Sequence, residues 1–275
     1  MKRFAAFLLM LVGLAAAAAR WLDVVNYTDL STGFVTYGPY WVRYAVAAGV
    51  LALGAVGAFM APRRPAALAG CSPAQGFVCF AAGFGFAALG GAQLADWAGQ
   101  DALANANAAL YLVSAVWLLL LGRSRFTPEF EAPTRSALFG VAGTLSLYLL
   151  TLRRFGFAPT GMARVGANLE ALAALAALLF CAAQAKVAYL PGGRSGGWVF
   201  FTGFCAFALG TCLALPGALA GYMAGQTSLS GLIEAVCLGL VGACGMCYAF
   251  GAVGPAAPPQ PAQAPPAQEH RAQLP

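Results

Sequence analysis

Two carboxylates fall where carboxylates are rare. Glu170 lies within the apolar run from Gly161 to Tyr189, and Glu234 within the run from Ser228 to Phe250. Read as helices, these runs put Glu170 about 13 Å and Glu234 about 9 Å along their axes, at 1.5 Å per residue. An unpaired ionised group at such depth in a bilayer costs several kcal/mol, so each must face a polar cavity, pair with a cation or carry a proton. The cations within reach of the same membrane face are Arg43, Arg153, Arg154 and Arg164. One chemistry open to this set is a proton, cation or amine site. The other is an Arg–Glu clasp between helices, or plain placement at headgroup level.

Cys244-Gly245-Met246-Cys247 is the second pattern. A CxxC spacing serves redox pairs and half-sites for metals. Here it lies within an apolar helix, has no second CxxC to match it, and His270 is the chain's one histidine. A helical i, i+3 pair shares a face, but the plainer reading is that these thiols are small packing residues, as for the pairs Cys205/Cys212 and Cys237/Cys244. No metal site and no cofactor are expected. A P-loop and HExxH are missing from the sequence, and no soluble catalytic domain is evident, so an enzyme is the least expected class.

The elements that position these residues are apolar. Of 275 residues, 61% are hydrophobic and 9% charged, with a mean hydropathy of +0.76. Soluble domains carry roughly 25% charged residues, and these apolar runs are about 20 residues long, the length that spans a bilayer. The expected class is all-α: a polytopic integral membrane protein of about eight transmembrane helices. Barrel strands would alternate in character over about 10 residues, which these segments do not. The net charge of +6 does not signal nucleic acid, because the basic residues are scattered over loops.

Helix 1 is expected over Phe4–Ala19, as a retained span rather than a cleaved signal peptide. A polar, aromatic loop follows from Trp21 to Tyr40, with turn chemistry at Asp29-Leu30-Ser31-Thr32-Gly33. Helices 2 to 4 are expected over about 41–61, 75–95 and 108–121, helix 5 over 136–152, and helices 6 to 8 over 161–189, 198–220 and 228–250. Pro216 is expected to kink helix 7. The breakers are Pro62-Arg63-Arg64-Pro65, a charged loop at 123–135 with Glu129 and Glu131, and the turn at 191–197. A polar stretch around Asp96 and Asn105–Asn107 separates helices 3 and 4, and a Pro/Ala/Gln-rich tail runs over 254–275. In domain terms, 1–122 forms one four-helix half and 136–253 the other.

A shift of 121 residues superposes Arg43 on Arg164, Leu51 on Leu172, Phe59 on Phe180, Gly76 on Gly197 and Phe86 on Phe207. Each half then starts on the same side, which makes two parallel repeats about an axis along the membrane normal. Under this shift Glu170 falls on Gly49, so only one half carries the acid. Counting Lys and Arg with the N-terminus inside gives ten inner against five outer residues, which places both termini in the cytoplasm of a bacterial-type membrane. Glycines at 49, 54 and 57 and at 239, 242 and 245 give small-residue faces for close helix approach. The functional expectation is small-solute transport or solute binding, for a small cationic or amphipathic solute in contact with the lipid bilayer. The alternatives are a non-catalytic scaffold or sensor subunit and, last, a membrane thiol oxidoreductase.

Overall fold

A computed structural model describes residues 2–60, 71–95, 102–127, 132–157, 161–190 and 195–253. The breakers at 62–65, Asp96, the acids Glu129 and Glu131, the turn residues 191–194 and the tail with His270 lie outside the described residues. The described chain is helical: α1 (Lys2–Tyr27), α2 (Tyr40–Met60), α3 (Pro73–Ala95), α4 (Ala102–Ser124), α5 (Ala137–Ala142), α6 (Leu145–Phe157), α7 (Val165–Tyr189), α8 (Gly196–Ala206), a π-helical segment (Phe207–Ala214), α9 (Leu215–Met223) and α10 (Leu229–Ala252). Seven segments among the described residues are long and apolar enough to cross a membrane, with α8, the π segment and α9 counting as one. The protein is therefore an all-helical, multi-pass membrane protein. Apolar side chains such as Phe59, Phe77, Phe84 and Leu138 point outward, as side chains facing lipid tails do.

Three boundaries differ from the sequence expectation. α1 does not stop at Ala19 but runs on to Tyr27, because Arg20 and Asp23 satisfy each other one turn apart inside the helix. α4 begins at Ala102, and Asn105 and Asn107 are buried helical residues rather than loop. The expected helix 5 is two pieces, α5 and α6. The break falls at Gly143, where a Cβ would lie 2.6 Å from the Trp117 ring. Its carbonyl accepts from Ser114 Oγ at 2.7 Å, and Ser114 also meets Ser146 Oγ at 2.6 Å. A side chain from the neighbouring helix thus takes up a backbone group released at the break, as an apolar surround requires.

Pro216 acts differently from a simple kink. It stands at the second position of α9, directly after the eight-residue π segment. Proline has no N–H to give the carbonyl four residues back. In the wider π turn the bond comes from five residues on, as Leu215 N–H does to the Gly210 carbonyl.

α10 lies centrally, against α3, α8 and the π segment. Its small-residue face works as close packing requires. A Cβ on Gly245 would run into the Gly203 backbone of α8, and one on Gly210 would sit 2.9 Å from the Leu238 carbonyl. In α2, Gly54 and Gly57 are covered by Phe204 and Phe200, while Gly49 faces open space.

Candidate functional site

Charged side chains gather at one end of the bundle, where α1 and α6 end and α2, α7 and α10 begin. Glu170 and Glu234 are each five residues into α7 and α10, so both lie about 7.5 Å along their helices at 1.5 Å per residue. They share one partner. Arg154, near the end of α6, donates from Nη1 to Glu170 Oε2 and from Nη2 to Glu234 Oε1, both at 2.5 Å. Tyr111, buried in α4, donates to Glu234 Oε2 at 3.4 Å. This triad holds one cation and two anions. Glu234 is buried, whereas 27% of the Glu170 side chain is accessible.

A second triad has the opposite balance. Asp23 of α1 accepts from Arg20 Nη1 at 2.6 Å and from Arg43 of α2, through Nη2 at 2.5 Å and Nε at 2.9 Å. Arg43 also donates to the carbonyls of Pro39 and Tyr37. Here two cations share one anion. Arg20 is only 7% exposed, and its Nε has no hydrogen-bond partner among the described residues. Arg164, at the N-cap of α7, sits 5.0 Å over the Phe34 ring, and its Nε is likewise buried without a partner.

One member of each triad, Glu170 and Arg20, lines a common cavity of about 200 Å³, together with Arg164, Thr32, Gly33 and Thr227. A neighbouring cavity of about 280 Å³ is lined by Arg154, Glu170, Gln226, Thr227 and Ser228. Glu170, Ala214 and Thr227 line both. Ala214 closes the π segment, so the irregular helix forms a wall of the site, a frequent place for π turns.

The roof is the segment between α1 and α2. Thr28 and Val35 form an antiparallel bridge, and Gly33 takes the left-handed conformation (φ +73°) that the turn needs. Asp29 orders the turn by accepting from Thr32 Oγ1 at 2.6 Å, Ser31 Oγ at 2.7 Å and Ser31 N–H at 2.9 Å. The Thr32 and Ser31 bonds, all made to the charged form, pull its carboxyl down to about 2. Val35 N–H reaches the Ala163 carbonyl at 3.4 Å, which joins the roof to the segment before α7. Tyr44 of α2 secures that segment from below, through Met162 O at 3.0 Å and Asn168 Nδ2 at 2.6 Å.

Of the four arginines expected near the carboxylates, Arg154 is the one that binds them. Arg43 is committed to Asp23, Arg164 lies on Phe34 and lines the same cavity as Arg20, and Arg153 makes no ion pair among the described residues. Arg20, Asp23 and Tyr111 were not singled out from sequence. Arg and Asp at i, i+3 in an apolar run that continues to Val24-Val25 was the available signal for the first two. The thiols fall elsewhere. Cys244 meets Cys79 of α3, sulfur to sulfur at 3.3 Å, and accepts from Gln184 Nε2 at 3.5 Å. Cys247 is half-buried, and its carbonyl accepts from Gln75. Among the described residues no cluster of three or more His, Cys, Asp or Glu has the arrangement of a metal site.

No family model, no curated protein and no solved structure matches this chain.

Proposed function

We propose that this protein binds a small solute in the roofed cavity between the two triads and belongs, in the broad sense, to the transporters. The observation that carries this reading is Glu170: a carboxylate inside a membrane-spanning helix, bound to Arg154 and also lining both cavities. Intramembrane ionisable residues beside a cavity commonly mark a solute or ion path. The volumes lie below the roughly 300–1,000 Å³ of pockets for drug-sized ligands, which suits a small solute.

The rest of the architecture fits the same reading. We take α5 and α6 together as a broken eighth span. On that reading α1 packs on α2 and α3 on α4 in the expected first half, and α6 on α7 and α8–α9 on α10 in the second, while the two pairs of the first half meet through the second, α2 on α8 and α3 on α10, rather than on each other. Residues of the expected first half form the Asp23 triad and residues of the second form the Arg154 triad, and the cavity is lined from both, as ligand sites between parallel repeats are. With both termini in the cytoplasm of a bacterial-type membrane, the outer side holds Arg20, Arg43, Arg153, Arg154 and Arg164. Three of these are tied into the triads, so they weigh little against the positive-inside rule.

The competing reading is a scaffold or sensor subunit. It is favoured by the Gly203–Gly245 contact, which locks α8 to α10 without room for a side chain. A thiol oxidoreductase built on Cys244 and Cys247 ranks last, since the sulfur that Cys244 meets is Cys79.

Thr227→Cys tests the choice. Membrane vesicles of each orientation are treated with an impermeant maleimide, and residue 227 is read by peptide mass spectrometry so that native thiols do not interfere. A transporter labels from the face carrying the roof and, more slowly, from the other. Labelling from the roof face alone supports binding without transport. Protection from both faces removes the cavity reading and leaves the scaffold.

A further inference from the structure

The charge balance at the charged end of the bundle says what kind of solute would complete it. The Arg154 triad is one cation short: Arg154 spends one Nη on each of two carboxylates, and Glu170 Oε1 takes no hydrogen bond from the described residues. The other cations at this end are short of an anion. Asp23 is shared by Arg20 and Arg43, and Arg164 has an aromatic ring rather than a carboxylate as its partner. Arg20, Arg164 and Glu170 line the same cavity of about 200 Å³. A simple cation in this space would meet two guanidinium groups, and a simple anion would meet Glu170. In a site of low dielectric, each such like-charge contact is penalised far more than in water.

We infer that the cavity takes a small zwitterion of the amino-acid type, its ammonium group on Glu170 and its carboxylate on Arg164 and Arg20. Planar guanidinium forks match a carboxylate geometrically. The hydroxyl of Thr227, which also lines the space, can donate to the carboxylate or accept from the ammonium. The aromatic contact of Arg164 with Phe34 couples the anion-binding arginine to the roof, so ligand carboxylate and roof compete for, or share, the same guanidinium. This inference rests on the solute-cavity proposal and narrows it from the cationic or amphipathic solute expected from sequence.

The test uses the full chain in lipid nanodiscs and measures the heat of binding of five probes: glycine, β-alanine, γ-aminobutyrate, butylamine and butyrate. The last two are γ-aminobutyrate without its carboxylate and without its ammonium group. The expected result is that at least one zwitterion binds tenfold or more tighter than both singly charged probes. Arg164→Gln should shift preference toward butylamine, and Glu170→Gln toward butyrate, a reciprocal change that general loss of structure does not produce. Butylamine binding as tightly as the best zwitterion overturns the inference in favour of a cation site, and equal binding of butyrate overturns it in favour of an anion site. Either leaves the solute cavity standing. If none of the five binds while Thr227→Cys reacts with maleimide, the zwitterion is wrong and the cavity is right. If none binds and that thiol is protected, both readings fall.

Discussion

The helices α7 and α10 are held by opposite means at their two ends. Where they begin, Glu170 and Glu234 meet a shared guanidinium, and the neighbouring space forms two cavities. Toward their other ends, α10 presses Gly245 onto the backbone of Gly203, Cys244 onto Cys79, and accepts from Gln75, which in turn accepts from Arg125 at 2.9 Å. Ion pairs hold helices apart at the length of two side chains and tolerate a gap beside them. Small-residue contacts bring backbones together and leave none. One end of the bundle is thus built to stay closed, the other to accommodate something.

The sharpest way to break this contrast is to remove the shared guanidinium. Arg154→Gln strands two carboxylates, and losing one member of a buried ionic group typically costs 3–5 kcal/mol. The triad is partly accessible, so about 3 kcal/mol is expected, read as a lower unfolding midpoint in nanodiscs. Adding Glu170→Gln and Glu234→Gln to that variant should restore much of it. A neutral Arg154→Gln would mean the triad does not hold the helices.

At the closed end, Gly245→Val places methyl groups against the Gly203 backbone, which cannot yield as a side chain would. Overpacking of this kind costs about 1–3 kcal/mol. Gly49→Ala, in open space, is the control and should leave the midpoint unchanged or slightly raised. Equal effects at the two glycines would remove the packing argument.

Cys79→Ala opens a small void between α3 and α10, and about 1 kcal/mol is expected from the loss of a buried group of that size. In the unaltered protein a membrane-soluble oxidant should link Cys79 to Cys244, recovered as a joined peptide by mass spectrometry. A Cys244–Cys247 link in its place would revive the redox reading.

The smallest effect belongs to the roof. The Asp29 carboxyl is held at about 2 by its Thr32 and Ser31 bonds. A depressed value means that its contribution is fully present above the ordinary carboxylate range and is lost as pH falls through about 2. A carboxyl chemical-shift titration of Asp29 checks this, and a midpoint near that of an unperturbed aspartate would show the turn unformed. Asp29→Asn should loosen the roof slightly, seen as faster maleimide labelling at Thr227→Cys.

Class was legible in composition and run length alone, since nothing but lipid suits so many outward apolar side chains. Glu170 and Glu234 were legible as charges inside apolar runs. Their partner was not, because the choice among Arg43, Arg153, Arg154 and Arg164 depends on how α6 packs on α7 and brings Arg154 within reach of both carboxylates, a long-range fact that no local pattern encodes. Asp23 was misplaced into a loop because charge usually ends a membrane helix. Here Arg20 and Arg43 satisfy it, and α1 continues past it. The break at Gly143 depends on Trp117 and Ser114 of another helix and was likewise invisible.

The two carboxylates sit at one depth, about 7.5 Å into α7 and α10 by helical rise, and that level has an electrical consequence. Moving a unit charge across the whole membrane involves about 2.3 kcal/mol per 100 mV. Exchange of partners within a layer parallel to the bilayer moves charge sideways, across the field rather than along it. Rearrangement of these ion pairs should therefore be nearly indifferent to membrane voltage, and any voltage dependence in this protein would have to come from what enters or leaves the layer.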